Sequence, residues 1–296
     1  RARAPSRRRR LGTHVLHLPT PWLARMLLPH AASAVNATAA FPIFTLLAVS
    51  HASTGIDLLV RTERDEVPLI LELLTQRACP GSVLCLLQSQ ALGLIASSGV
   101  ALAVAATPDF GRAIPLALAA AAAVSLRQPQ LCAAPPATIA LRGGTLLCAC
   151  ATSCRASPRA GRAPAVCQRQ RLAAVGRVVL GVGLAAVAAP SACAGQGFAC
   201  LGQTRLLLAQ ALRCAAAQLL PLGASCLELS RSAPTPSRSH RLLASAVVVG
   251  SGAQLALLRG PHAHALHRGA RWALMLMHAA SAAAAAAIAG FRGGQC

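Results

Sequence analysis

One titratable side chain sits deep in an uncharged stretch near the end of the chain. His278 lies in "RWALMLMHAASAAAAAAIAGFR", where the 20 residues from Trp272 to Phe291 carry no charge and Arg271 and Arg292 close the two ends. Seven residues separate it from Arg271, about 10 Å by helical rise. An ionisable group at that depth in a membrane span marks a functional site by default, because hydrocarbon otherwise disfavours it. The neighbouring Ala280 and Ser281 join it as ligand-pocket candidates. So do His51, in "LLAVSHA", and the amides Gln88 and Gln90, in "CLLQSQALG". His51 is expected at a helix end near the interface. Gln210, Gln218 and Gln254 are polar companions in other apolar runs, and Arg142 and Arg213 interrupt two of them. A pair of buried histidines is chemistry that ligates haem. Non-covalent haem or retinal therefore stays open, with no cofactor the plainer expectation.

Two further groups bear on metals. "HAHALH" places His262, His264 and His267 in a short polar stretch, with no carboxylate beside them to orient the rings. They are weak metal ligands on that ground. "CACATSC" supplies Cys148, Cys150 and Cys154, flanked by Cys132 and Cys167. Structural zinc sites use paired knuckles with two to four residues between cysteines, and this spacing does not match. Small apolar cysteines scattered through helices are the simpler reading of the 12 in the chain. Cys193 and Cys200 are close enough in sequence to bridge in an oxidising compartment, but nothing in the sequence tests it.

Missing residues narrow the field more than present ones. All 28 basic residues are arginine, and there is no lysine or tyrosine. Without lysine there is no phosphate loop of the Walker type, no kinase strand lysine and no Schiff base to a carbonyl, to pyridoxal phosphate or to retinal. No catalytic constellation replaces them, so a non-enzymatic role is expected. The net charge of +21 invites a nucleic-acid reading, but aromatic residues make up 2% and the arginines mostly sit singly at the ends of apolar runs. Anchors at a membrane interface fit that placement better than a stacking, phosphate-tracking surface.

The elements that must carry these residues are apolar. The chain has 296 residues, 55% of them hydrophobic, with 12% charged and a mean hydropathy of +0.56. Such a balance is too apolar for an ordinary soluble domain. The expectation is an all-α polytopic transmembrane helix bundle of about seven helices, six to eight in range. Residues 1–25 form a basic tail and interfacial segment, 26–292 the helical domain, and 293–296 a short end. The tail also has the arginine-rich, acid-poor composition of an organelle transit-peptide remnant. Polar loops are expected at 57–77, 155–177, 230–241 and 259–271.

Spans are expected near 36–55, 80–104, 111–128 and 134–152, then within 178–204, 206–227, 242–258 and 272–291. The stretch 206–227 is doubtful because Arg213 interrupts it. Five of the seven acidic residues fall in 57–77, with a short amphipathic helix expected around 67–76. Six arginines fall in residues 1–10 and six in 155–177. By the charge bias of cytoplasmic loops, the basic N-terminus and the 155–177 segment share the cytoplasmic side. Membrane lipids are the expected partners, with self-association possible and nucleic acid not expected.

The last span also carries a family resemblance. "WALMLMHAASAAAAAAIAG" resembles the final helix of heliorhodopsins, inverted seven-helix retinal proteins, in the spacing of Trp272, Ala279, Ser281, Ala289 and Gly290. "RLGTHVLHL", with Arg10, Leu11, Leu16 and His17, is similar to the opening of their first helix, and "FPIFTLLAVSHA" to their second. The resemblance implies a seven-helix sensory scaffold with a cytoplasmic basic N-terminus. It also implies that the retinal lysine is replaced by Ala280, and that Gln88 and Gln90 stand where a carboxylate counterion belongs. The functional expectation is thus a rhodopsin-like scaffold unable to form the Schiff base. The alternatives are a small-solute membrane transporter with a polar path through Gln88, Gln90 and His278, and an off-frame or degenerate reading of a GC-rich gene without function.

Overall fold

The computed structural model describes residues 42–63, 80–106, 110–111, 113–126, 166–189, 203–231, 236–260, 263 and 268–289. Among them every regular element is helical: α1 (Pro42–Glu63), α2 (Pro80–Ala106), α3 (Ala113–Leu126), α4 (Val166–Ala188), α5 (Gln203–Ala217), α6 (Leu219–Arg231), α7 (Arg238–Arg259) and α8 (Arg268–Ala289). Alanine and leucine dominate these segments, and both are strong helix formers. Only Gln218 separates α5 from α6, so the eight segments amount to seven rods, one of them broken.

Among the described residues, four helices are long and apolar enough to cross a membrane: Leu84–Ala106, Arg169–Ala188, Arg238–Arg259 and Arg268–Ala289. The expected number of spans was larger. α3 has 14 residues, about 21 Å of helix against a hydrocarbon core of about 30 Å. The expected span at 134–152 and the amphipathic helix at 67–76 lie outside the described residues, as do the tail and Arg142.

Helix ends differ from the expected loops for one physical reason. Charged residues end an apolar window without ending a helix, because arginine favours helix and extends its head toward water. α1 therefore runs through Asp57 to Glu63, and the Arg61 and Asp57 side chains pair one turn apart at 3.0 Å. The basic stretch expected as a loop at 155–177 is helical from Val166 onward. Of the loop expected at 230–241, Ser230 and Arg231 belong to α6 and the residues from Arg238 onward to α7; of that expected at 259–271, Arg259 belongs to α7 and the residues from Arg268 onward to α8. Conversely, the span expected within 178–204 stops early, at Ala188.

Small residues set the packing. α2 and α7 run antiparallel, since Gly99 meets Ala246 while Ala96 meets Gly250. A Cβ added at Gly250 would lie 2.5 Å from the Ala96 Cβ, so the approach exists only because glycine is there. α4 and α6 cross backbone to backbone: a Cβ at Gly176 would lie 2.9 Å from the Gly223 carbonyl oxygen, and one at Gly223 would lie 2.9 Å from the Leu180 nitrogen. α7 and α8 form a hairpin. Ser237 caps α7, its hydroxyl accepting the His240 N–H, and Arg271 Nε donates to the Leu258 carbonyl at 2.7 Å across the connection.

Candidate functional site

The side chains singled out from sequence do not form one site. His278 (4% exposed) and Ser281 (0%) share the buried face of α8, where Ser281 Oγ donates to the Met277 carbonyl at 2.8 Å. Ala280 turns outward, to the exposed face of the same helix. Gln88 and Gln90 are buried on α2. His51 is buried too, well inside α1 rather than at its end. Helix α8 packs chiefly on α7 and α4, and α2 on α1 and α7. So α7 stands between the glutamines and His278. His262, His264 and His267 lie outside the described residues, as do Cys132, Cys148, Cys150, Cys154, Cys193 and Cys200. Among the described residues no group of three or more His, Cys, Asp or Glu side chains gathers to hold a metal.

Several polar side chains inside the bundle act as ties between helices. Ser89 Oγ donates to Gln254 Oε1 at 3.0 Å, and Gln254 Nε2 donates back to the Ser89 carbonyl at 2.7 Å, joining α2 to α7. Ties of this kind are the expected use of Ser and Gln between apolar helices.

The broken rod is different. Reading along α5, a helix should continue through "RCAAAQLLPLG", and it does continue through Arg213, which therefore does not interrupt it. It stops at Ala217 instead. The cause is Pro221. It has no N–H to donate to the Ala217 carbonyl four residues back, and its ring crowds that carbonyl. Gln218 leaves the helix, its own N–H reaching the Ala215 carbonyl at 3.2 Å in a tighter turn. A new helix, α6, starts at Leu219. The N–H groups of Leu219 and Leu220 have no partner within α6, as at any helix start.

Two glycines clasp this break. A Cβ at Gly93 of α2 would lie 2.5 Å from the Gln218 Cβ. One at Gly183 of α4 would lie 3.0 Å from Leu220 Cδ2 and 3.3 Å from the Ala216 carbonyl oxygen. Ser97 Oγ donates to Gln218 Oε1 at 3.0 Å. The other end of the amide, Gln218 Nε2, is buried with no hydrogen-bond partner, in a residue 6% exposed. Gly93 and Ser97 flank Ile95, the midpoint of the Leu84–Ala106 span. The break thus sits at mid-depth of the most buried apolar helix. Irregular backbone at such depth is tolerated where it is enclosed by protein or lines a solute path, and broken helices at mid-depth build the binding sites of many transporters.

A second site residue was not visible from sequence. Glu228 falls at the edge of an apolar run, yet it is only 7% exposed. Its Oε1 accepts the Gly111 N–H at 3.0 Å, latching the α2–α3 connection to α6, while Oε2 has no partner. A Cβ at Gly111 would lie 2.8 Å from Oε2, so glycine is what admits the carboxylate. Phe110 beside it meets the His240 ring edge-on, centroids 5.3 Å apart.

For Gln218 the sequence did hold a signal: a proline inside a helical pattern breaks the helix about one turn before it. For Glu228 no local signal exists. No protein-family model matches the chain, and no curated protein or solved structure matches it either.

Proposed function

We propose that the chain is a multi-pass integral membrane protein that passes a small solute through its helix bundle, with the break at Gln218 as the solute-handling region. The observation that carries this reading is the enclosed break at mid-depth of α2, with a buried amide nitrogen left over. A helix interrupted inside an apolar bundle loses backbone hydrogen bonds, and transporters are where that loss has a use. The lipid partner follows from the apolar residues left facing outward, among them Leu46, Val49, Val178, Leu184, Trp272 and Leu276. By the charge bias, the basic N-terminus faces the cytoplasm. The retinal-protein resemblance adds less, because Ala280, at the position of the absent lysine, faces away from the bundle interior. A groove between α2 and α7, lined by Leu92, Ile95, Gly99 and Val249, has room for about one water molecule, far short of a polyene.

The test is flux in vesicles. Purified chain reconstituted in phospholipid vesicles is challenged with urea, glycerol and potassium chloride, the last with valinomycin to carry the potassium. The reading expects at least one of the three to cross faster than in protein-free vesicles. If all three cross at the protein-free rate, the transport reading fails.

A further inference from the structure

We propose that Glu228 is a proton-operated latch, a device independent of the transport reading: a proton taken up at Oε2 loosens the hold of α6 on the α2–α3 connection. The two oxygens of this one carboxylate are not alike. Oε1 accepts the Gly111 N–H at 3.0 Å. Oε2 is buried with no hydrogen-bond partner, in a residue 7% exposed. A proton on Oε2 therefore displaces no existing bond. It removes the charge, and with it the charge assistance that makes a carboxylate the stronger acceptor. The latch is tight while Glu228 is ionised and slackens as pH falls.

Two demands meet at this side chain. The Gly111 N–H favours the ionised form, and burial without a cation beside it favours the neutral one. Among the described residues Glu228 makes no ion pair. Helices α2 and α3 carry no charged side chain. On the other neighbouring helices, Arg171 and Arg177 of α4, Arg213 of α5 and Arg238 and Arg241 of α7 are exposed, as is Arg231 on α6 itself. Arg169 of α4 is half-buried. Cys226 lies two residues before Glu228, and His278 stands on α8. His240 is the titratable group at the same corner. It meets the Phe110 ring edge-on, with Nδ1 against the Ser237 hydroxyl at 2.6 Å. Asp109 and Arg112, beside Phe110 and Gly111 in sequence, lie outside the described residues. All of these groups are shared by wild type and Glu228→Gln, so a comparison of the two at one pH isolates Glu228.

The latch matters because α6 is jointed at its other end. Ten residues before Glu228 the rod is broken at Gln218, where Pro221 removes the hydrogen bond that would make α5 and α6 one helix. So α6 is a segment of 13 residues with a joint at its start and a tie near its end. The end of an element is an ordinary place for a hinge. With the tie released, the last turn of α6 and the Phe110–Gly111 segment are free to part, while the crossing of α4 and α6 at Gly176 and Gly223 still holds the helix in the bundle.

The experiment uses the full chain in detergent, with Glu228→Gln as the neutral carboxyl of the same shape. Hydrogen–deuterium exchange of the segment 222–231 and the thermal midpoint are compared between the two proteins at about pH 8 and at about pH 4, either side of the range where carboxylates titrate. At the higher pH the variant is expected to exchange faster by about fivefold, the difference between a charged and a neutral acceptor, and to unfold at lower temperature. At the lower pH the two proteins are expected to coincide. A gap of the same size at both pH values makes Glu228 merely structural and overturns the proposal, and so does the absence of a gap at either. If the variant does not fold, wild type alone decides. Its exchange in 222–231 is divided by that in 243–254 of α7 in the same sample, which cancels the intrinsic effect of pH. The ratio is expected to rise by about fivefold in acid, and a constant ratio overturns the latch.

Discussion

Helix α8 and the α5–α6 rod are opposites. α8 is continuous and uncharged beyond Arg271, and only 22% of its most apolar window is buried in the bundle. The α5–α6 rod is split into pieces of 15 and 13 residues, each too short to span. Yet from Leu220 to Cys226 every residue of α6 is buried. Of the four helices able to span, α8 has the smallest share of its apolar window buried. The short α6 packs instead against α4, α3, α7 and α2. Apolar length measures what lipid will accept, whereas small and polar residues mark where helices meet.

The contrast can be broken by substitution, with unfolding in detergent as the common measurement. Gly93→Leu should do the most damage, because its Cβ would start 2.5 Å from Gln218 Cβ with backbone behind it. A loss of about 3 kcal/mol, the upper end for overpacking, or failure to fold is expected. Glu228→Ala should come next. It leaves the Gly111 N–H without its 3.0 Å acceptor, at about 2 kcal/mol for a bond to a charged group. Cleavage by a protease within the α2–α3 connection should rise in that variant. Ser97→Ala removes the donor to Gln218 Oε1 and should cost about 1 kcal/mol.

Ala280→Leu, on the outward face of α8, should shift stability by no more than about 0.5 kcal/mol. An Ala280→Leu cost equal to that of Gly93→Leu would erase the distinction between the two regions.

Much of the fold class was legible before any coordinates. A chain rich in alanine and leucine, poor in charge and bracketed by arginine has few alternatives to a helical bundle. Helix boundaries were less legible. Arg169, Arg171 and Arg177 have the charge of a loop in the sequence, yet all three lie in α4. Arg213 misled in the same way. Its charge interrupts an apolar run, but it sits within α5, and the helix breaks at Gln218 instead.

The candidate site was only half legible. In the sequence Gln218 is only a polar companion in an apolar run whose interruption is expected at Arg213, not at Pro221. Which residues would close on that break was not readable. Gly93 and Gly183 are 125 and 35 residues away from Gln218 in the numbering, and only tertiary packing brings them together. Glu228 was passed over for a related reason: its position along an apolar run says nothing of the loop that folds back over it. Sequence alone sets the depth of His278 along α8 but not the side it faces; it is buried, and α7 keeps it apart from Gln88 and Gln90.

The Arg271 contact to the Leu258 carbonyl has a consequence for the order of assembly. Its two ends are 13 residues apart, so closing that loop costs little chain entropy compared with any contact between α2 and α7. The Ser89–Gln254 tie, by comparison, spans 165 residues. The last two helices can therefore pair as soon as both have been made, and dock as one preformed unit against a bundle already waiting. Weakening the clasp, as in Arg271→Gln, should delay completion of the fold more than it lowers its final stability.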